Sequence, residues 1–278
     1  MENPVTSSAN QSQTAKWIET SARIGYAAKG MVYSLLGWLA VQASLNWGGE
    51  VTDTTGVLKA VAEKPFGKVA LFGIALGLLC YVAWRFIAAI FDPEHDKNGL
   101  KNITRRIIYG LSGCLYSGLA YAAFDIVFSV SSSGSGSSSS SNAKAATVLA
   151  QPFGRFLLSC VAVGAASYGF YYVYRGVSSK FRKKLKLIEM GKTQEKWLLS
   201  IGRFGLISKG FVAIIVSYFV GQAVRFADAS KVKTTEGVLQ TLQRQPFGAA
   251  LMGGVAFGLI AYGIHLLVQS RYRRISPD

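Results

Sequence analysis

The tripeptide Pro-Phe-Gly occurs three times in this chain, at Pro65-Phe66-Gly67, Pro152-Phe153-Gly154 and Pro246-Phe247-Gly248. A long apolar segment precedes each copy, a short Val/Leu-containing stretch leads into it, and a second long apolar segment follows. Self-similarity at a fixed period constrains a fold more than any local motif, because each copy must form the same supersecondary unit. The unit here is a hairpin of two apolar helices, written three times.

Apolar residues form blocks rather than alternating with polar ones. Gly67–Ile90 is interrupted only by Lys68 and Arg85, Ile107–Val130 only by Asp125, and Phe156–Tyr174 by no charge. Gly205–Val224 carries only Lys209, and Gly248–Gln269 only His265. About 20 apolar residues at 1.5 Å each match the hydrocarbon thickness of a bilayer. The first segment, Ile24–Leu45, holds Lys29; the repeat supports it as a span, because Lys209 occupies the matching place in the fifth segment. Charged residues make up 16% of the chain, well below the roughly 25% usual in soluble domains. The predicted fold is all-α: a polytopic membrane protein of six transmembrane helices, as three tandem hairpins around a pseudo-threefold axis along the membrane normal. The predicted order is an N-terminal segment 1–20, repeat one over 21–92 and repeat two over 104–178 with a Ser-rich outer linker at 129–143. A basic loop over 179–200, repeat three over 201–272 and a tail over 273–278 follow.

The net charge of +16 raises the question of nucleic acid, and its distribution answers it. Six spans put the termini and inter-repeat loops on one side, and most of the 30 basic residues fall there. The positive-inside rule then places both termini in the cytoplasm, with no call for nucleic acid. The densest run, Lys180–Lys186, reads as a topology signal and a site for anionic headgroups, at about 1 kcal/mol per cation near the surface. Residues 1–15 are polar and have no apolar core of the kind a cleavable signal needs. Cys80, Cys114 and Cys160 all fall inside spans without C-x-x-C spacing, and read as small packing residues.

Aligned on Pro-Phe-Gly, the second helices stay in register without gaps. Gly73, Cys160 and Gly254 match, as do Gly77, Gly164 and Gly258, and then Tyr81, Tyr168 and Tyr262. Steps of four keep these on one face, and small residues four apart let membrane helices approach closely. The first helices align on Arg23, Arg106 and Arg203. Six residues on come Lys29, Ser112 and Lys209, each followed by glycine, at Gly30, Gly113 and Gly210. Tyr26, Gly30, Tyr33 and Gly37 form a stripe that repeat two keeps as Tyr109, Gly113, Tyr116 and Ala120. Between the helices, Thr54-Thr55-Gly56-Val57-Leu58 matches Thr234-Thr235-Glu236-Gly237-Val238-Leu239. The pattern predicts a short interfacial amphipathic helix capped by threonine. Repeat two shortens it to Ala145–Gln151, after the flexible serine tract Ser131–Ser141.

These residues, Arg23-x-Gly-Tyr-x-x-Lys-Gly-x-x-Tyr, then Gly-Val-Leu, then Pro-Phe-Gly with the Gly/Tyr stripe, resemble the bacterial domain of unknown function 1206 family. The resemblance covers about residues 20–275. It implies tandem two-helix membrane units in a bacterial cytoplasmic membrane, and it supplies no catalytic residues. Repeat two departs from it at Ser112 and in the serine tract.

Ionisable residues inside a bilayer are functional candidates by default. Lys29 and Lys209 lie about 9 Å above the arginines that mark the inner boundary, and Tyr81 and Tyr262, about 24 Å below the outer proline, reach a similar depth. Each lysine is predicted to meet the tyrosine of its own unit, either to hold the hairpin together or to build an anion or headgroup site that opens inward. With Tyr168 and His265 these make the candidate inner polar site. Gln42, Asp125 and Gln222, about 28 Å above the arginines, are a candidate outer polar ring, or separate interfacial polar residues. Arg85 beside Trp84 reads as an interfacial anchor. There is no Walker loop, H-E-x-x-H, G-x-S-x-G or paired intramembrane carboxylate, and only one span carries a histidine for haem. No enzyme activity, metal or cofactor is expected. Two functional readings stand. One is permeation of a small anionic solute, with both lysines facing a common solvated cavity. The other is a non-catalytic accessory or scaffolding subunit for membrane proteins or lipids, tightly packed and with a glycine-rich face left open.

Overall fold

The computed structural model describes residues 4–48, 51–91, 99–128, 146–148, 150–151, 153–178 and 192–272. The basic run Lys180–Lys186, the serine linker 129–143, Pro152 and the tail 273–278 lie outside them. The described residues contain no strand. Six long helices are apolar enough to cross a membrane: α1 (Pro4–Ser44), α3 (Gly67–Phe91), α4 (Gly99–Phe128), α5 (Gly154–Val177), α6 (Lys192–Phe226) and α8 (Gly248–Tyr272). Two nine-residue helices, α2 (Thr54–Ala62) and α7 (Thr235–Gln243), lie in the connectors of repeats one and three. α1 starts at Pro4 and α6 at Lys192, so helix extends into the predicted N-terminal segment and basic loop.

The three units form a ring that is open at one place. The second helix of each repeat packs along the first helix of the next: α3 on α4, α5 on α6, and α8 on α1. This is the pseudo-threefold arrangement expected of three equivalent hairpins. Glycine sets two of these contacts. A Cβ on Gly30 would stand 2.9 Å from the Gly263 carbonyl, and one on Gly210 would stand 2.9 Å from the Val173 amide. Close approach of this kind is how membrane helices gain packing energy where lipid removes the hydrophobic drive. In the third contact a valine, Val82, stands where the other units have Gly169 and Gly263, and Gly113 meets the Phe86 ring instead.

The connector helices show why Pro-Phe-Gly recurs. Val57 and Leu58 of α2, like Val238 and Leu239 of α7, are fully buried against the long helices. The cap of α2 is Asp53, whose carboxylate accepts from the amides of Thr55 and Gly56. This corrects the expected threonine cap in repeat one, where a carboxylate at the N-terminus also meets the helix dipole; in repeat three the N-cap residue is Thr234, without a side-chain cap bond. Each chain then turns sharply into the next long helix. Phe66 and Phe247 take left-handed backbone angles, φ 59° and 61°. A Cβ on Gly67 would collide with the Val61 carbonyl, and one on Gly248 with the Gln243 carbonyl. Phe153 has φ −100° instead, in the unit whose connector is shortened.

Candidate functional site

The residues that converge at the ring axis are tyrosines and cations from all three repeats. Lys29 Nζ donates to Tyr81 Oη at 2.9 Å and lies 4.2 Å from the Tyr116 ring centre. Lys209 Nζ donates to both Tyr262 Oη and Tyr33 Oη at 3.0 Å. The hydroxyls of Tyr33 and Tyr116 pair at 3.3 Å. Arg85 Nε donates to Tyr81 Oη at 2.7 Å, and its guanidinium lies 4.9 Å from the Tyr109 ring centre. The network therefore runs from Arg85 through Tyr81 to Lys29, and across the Tyr116–Tyr33 pair to Lys209 and Tyr262. Both lysines are almost completely buried, and phenol oxygens and ring faces replace the water they lose.

Of the inner candidates, Lys29, Lys209, Tyr81 and Tyr262 come together. Tyr168 lies at the margin, its ring centre 6.0 Å from Lys209 Nζ and 4.5 Å from the Tyr172 ring. His265 is buried and bonded to Gln269 on the next turn of α8, at 2.7 Å. It is not the exposed interfacial residue its position suggests, because the α8 face it occupies packs inside the bundle. Five participants went unnamed as site residues: Tyr33, Tyr109, Tyr116, Tyr172 and Arg85. The tyrosine stripe of the first helices carried the signal for the first three. Arg85 sits six residues before the end of α3 and is half-buried, bonded to Tyr81, and Trp84 beside it is 3% exposed. The outer positions Gln42, Asp125 and Gln222 differ in setting. Gln222 donates to Tyr218 on its own helix at 2.7 Å, Gln42 is half-buried, and Asp125 is exposed.

The glycine face divides by unit. Gly77 packs on the Ala28 methyl, and a Cβ on Gly258 would strike the Ser208 hydroxyl. One turn earlier, Gly73 and Gly254 have no heavy atom within 4 Å of a Cβ built there, so that part of the predicted stripe faces outward. Gly164, the equivalent of Gly77 and Gly258, also has nothing within 4 Å.

The cause lies in the first helix of repeat two. Gly25 and Gly205 let α1 and α6 press against the backbone of Tyr81 and Tyr262. Ile108 takes that place in α4, and Leu111 takes the place of Ala28 and Ser208. Both are exposed, at 47% and 62%. Ser112 replaces the lysine that in the other units reaches across to the tyrosine. Without the small contacts or the lysine bridge, α4 and α5 make no extended contact, whereas α1–α3 and α6–α8 pack along their length. Only 17% of the α4 span and 11% of the α5 span are buried, against 44% or more for the other four. The ring thus has one open seam, inside repeat two. It is lined by Ile108, Leu111 and Leu115 on α4 and by Val161, Gly164 and Tyr168 on α5, and Leu115 and Val161 are 69% and 50% exposed.

Comparisons agree with this architecture. The family model for Domain of Unknown Function (DUF1206) matches three times, over residues 24–92, 107–179 and 204–273. The chain is 30% identical over 264 residues to the uncharacterized protein YxxB of Bacillus subtilis (strain 168), covering 95% of this chain and 94% of that one. No solved structure matches. With three tandem matches spanning most of its length, the chain belongs to the DUF1206 family of multi-pass membrane proteins.

Proposed function

We propose that this chain is a non-catalytic binding subunit of the bacterial cytoplasmic membrane, with both termini in the cytoplasm. Its working surface is the open second hairpin. The observation that carries this reading is Gly164: the close-packing glycine of the unit is present, yet no atom lies within 4 Å of a Cβ built there, and Ile108 and Leu111 stand in α4 where the other units have small residues. A helix face that keeps its small residues but lacks its intramolecular partner favours a ligand or helix from outside. The centre of the ring argues against a permeation path, since both lysines spend hydrogen bonds on tyrosine hydroxyls instead of facing a shared aqueous space.

Two measurements test the reading. A photoreactive amino acid at Leu111 or Val161 should form adducts with lipid or protein in native membranes far more efficiently than one at Val69, which is 72% exposed on α3. Equal labelling at all three positions sinks the proposal. Flux of small anions through liposomes that carry only this chain should be absent. Flux abolished by Lys29→Ala/Lys209→Ala would restore permeation as the function.

A further inference from the structure

Charge and access at the seam together identify an occupant. The carboxylates of the six long helices, among the described residues, are Glu19, Asp125 and Glu195. Glu19 already pairs with Arg23. Along their helices, Glu19 and Glu195 lie about 15 and 21 Å from Lys29 and Lys209, and Asp125 lies about 13 Å from Tyr116. Among the described residues, Lys29, Lys209 and Arg85 at the ring centre form no ion pair with a carboxylate, and Arg85 carries its charge at any accessible pH. A positive site at membrane depth without a counter-ion attracts an anion.

Access comes from the side. Tyr168 is 36% exposed at the seam and lies between it and Lys209. Tyr172 stands beside it, 5.4 Å from Lys209 Nζ to the ring centre, and occupies the position of Arg85 in its repeat. Tyr168 lies about 21 Å along α5 from its start at Gly154, which brings its hydroxyl toward the headgroup depth of the leaflet on the side of the termini. The remaining seam residues, Ile108, Leu111, Leu115 and Val161, are apolar and exposed, which suits acyl chains better than a hydrated ion. We propose that the seam admits one anionic phospholipid from the bilayer, its phosphate against the Tyr168 and Tyr172 hydroxyls facing Lys209 and its chains between α4 and α5. This inference rests on the binding reading above and names its ligand.

The test is native mass spectrometry of the full chain in detergent, with added phosphatidylglycerol, phosphatidylcholine or inorganic phosphate. Phosphatidylglycerol should be retained at about tenfold lower concentration than phosphatidylcholine. Lys209→Gln should remove most of that preference. Should Lys209→Gln fail to fold, Tyr168→Phe, an exposed position, reads the same contact and should lower the preference about threefold. Gly164→Trp, placed where no atom lies within 4 Å of a built Cβ, should block retention without lowering the melting temperature. Equal retention of the two lipids, or a preference that survives both Lys209→Gln and Tyr168→Phe, overturns the inference. Displacement of phosphatidylglycerol by inorganic phosphate overturns it in favour of a soluble anion. Seam photo-adducts without headgroup preference would remove this inference and leave the binding reading standing, whereas absence of both removes the two together.

Discussion

Tyr81 Oη accepts from both Lys29 and Arg85. Tyr81→Phe keeps the ring and deletes the acceptor, leaving the buried Lys29 and the half-buried Arg85 each short of a partner, a loss of about 1–3 kcal/mol. Its melting temperature in nanodiscs should fall clearly, whereas Tyr121→Phe, 75% exposed, should stay within about 0.5 kcal/mol of the parent. The three phenylalanines of the repeated tripeptide make a sharper comparison. Phe66 and Phe247 hold left-handed backbone angles and are 88% and 87% exposed. A non-glycine residue costs roughly 1–2 kcal/mol there, so Phe66→Gly and Phe247→Gly should raise thermal stability in detergent. Phe153 has φ −100°, so Phe153→Gly should lower it, by about 0.5–1 kcal/mol of lost chain restriction. Opposite signs at identical motifs would establish that backbone geometry, not the phenylalanine itself, sets the effect.

At the scale of helices, the same glycine position serves two ends. Gly77→Leu and Gly258→Leu force a side chain into the Ala28 and Ser208 contacts and should cost about 1–3 kcal/mol. A Cβ at Gly164 has no atom within 4 Å, so Gly164→Leu should be close to neutral in unfolding measurements. The opening itself is measurable by cross-linking, with Cys80, Cys114 and Cys160 replaced by serine. The pair Ala28→Cys/Gly77→Cys should oxidise to a disulfide. Its equivalent, Leu111→Cys/Gly164→Cys, should not, and efficient bridging of that second pair would show a closed hairpin. The departures that open repeat two are present in the alignment. Ser112 is legible there as a lost lysine, whereas Ile108 and Leu111 look like ordinary apolar residues of a membrane span. Their effect depends on which face they occupy against α5, and hydrophobicity along one helix does not carry that information.

For the whole molecule, an even number of spans puts both termini on one side. Single cysteines at Trp17 and Arg271 should label from one face of the membrane and one at Lys59 from the other. Labelling of position 17 from the cytoplasmic face checks the orientation drawn from the basic residues. Six spans, three hairpins and the pairing of Lys29 with Tyr81 and Lys209 with Tyr262 follow from the chain alone. They depend on run length and on helical spacing within one repeated unit, both of which are local. The contacts between successive units, the burial of Trp84 and His265, the Arg85–Tyr109 contact, the Tyr33–Tyr116–Lys209 link and the single seam in repeat two were decided by tertiary structure. Each is a contact between helices far apart in sequence, and the rotation of one helix against another depends on the whole set of side chains between them.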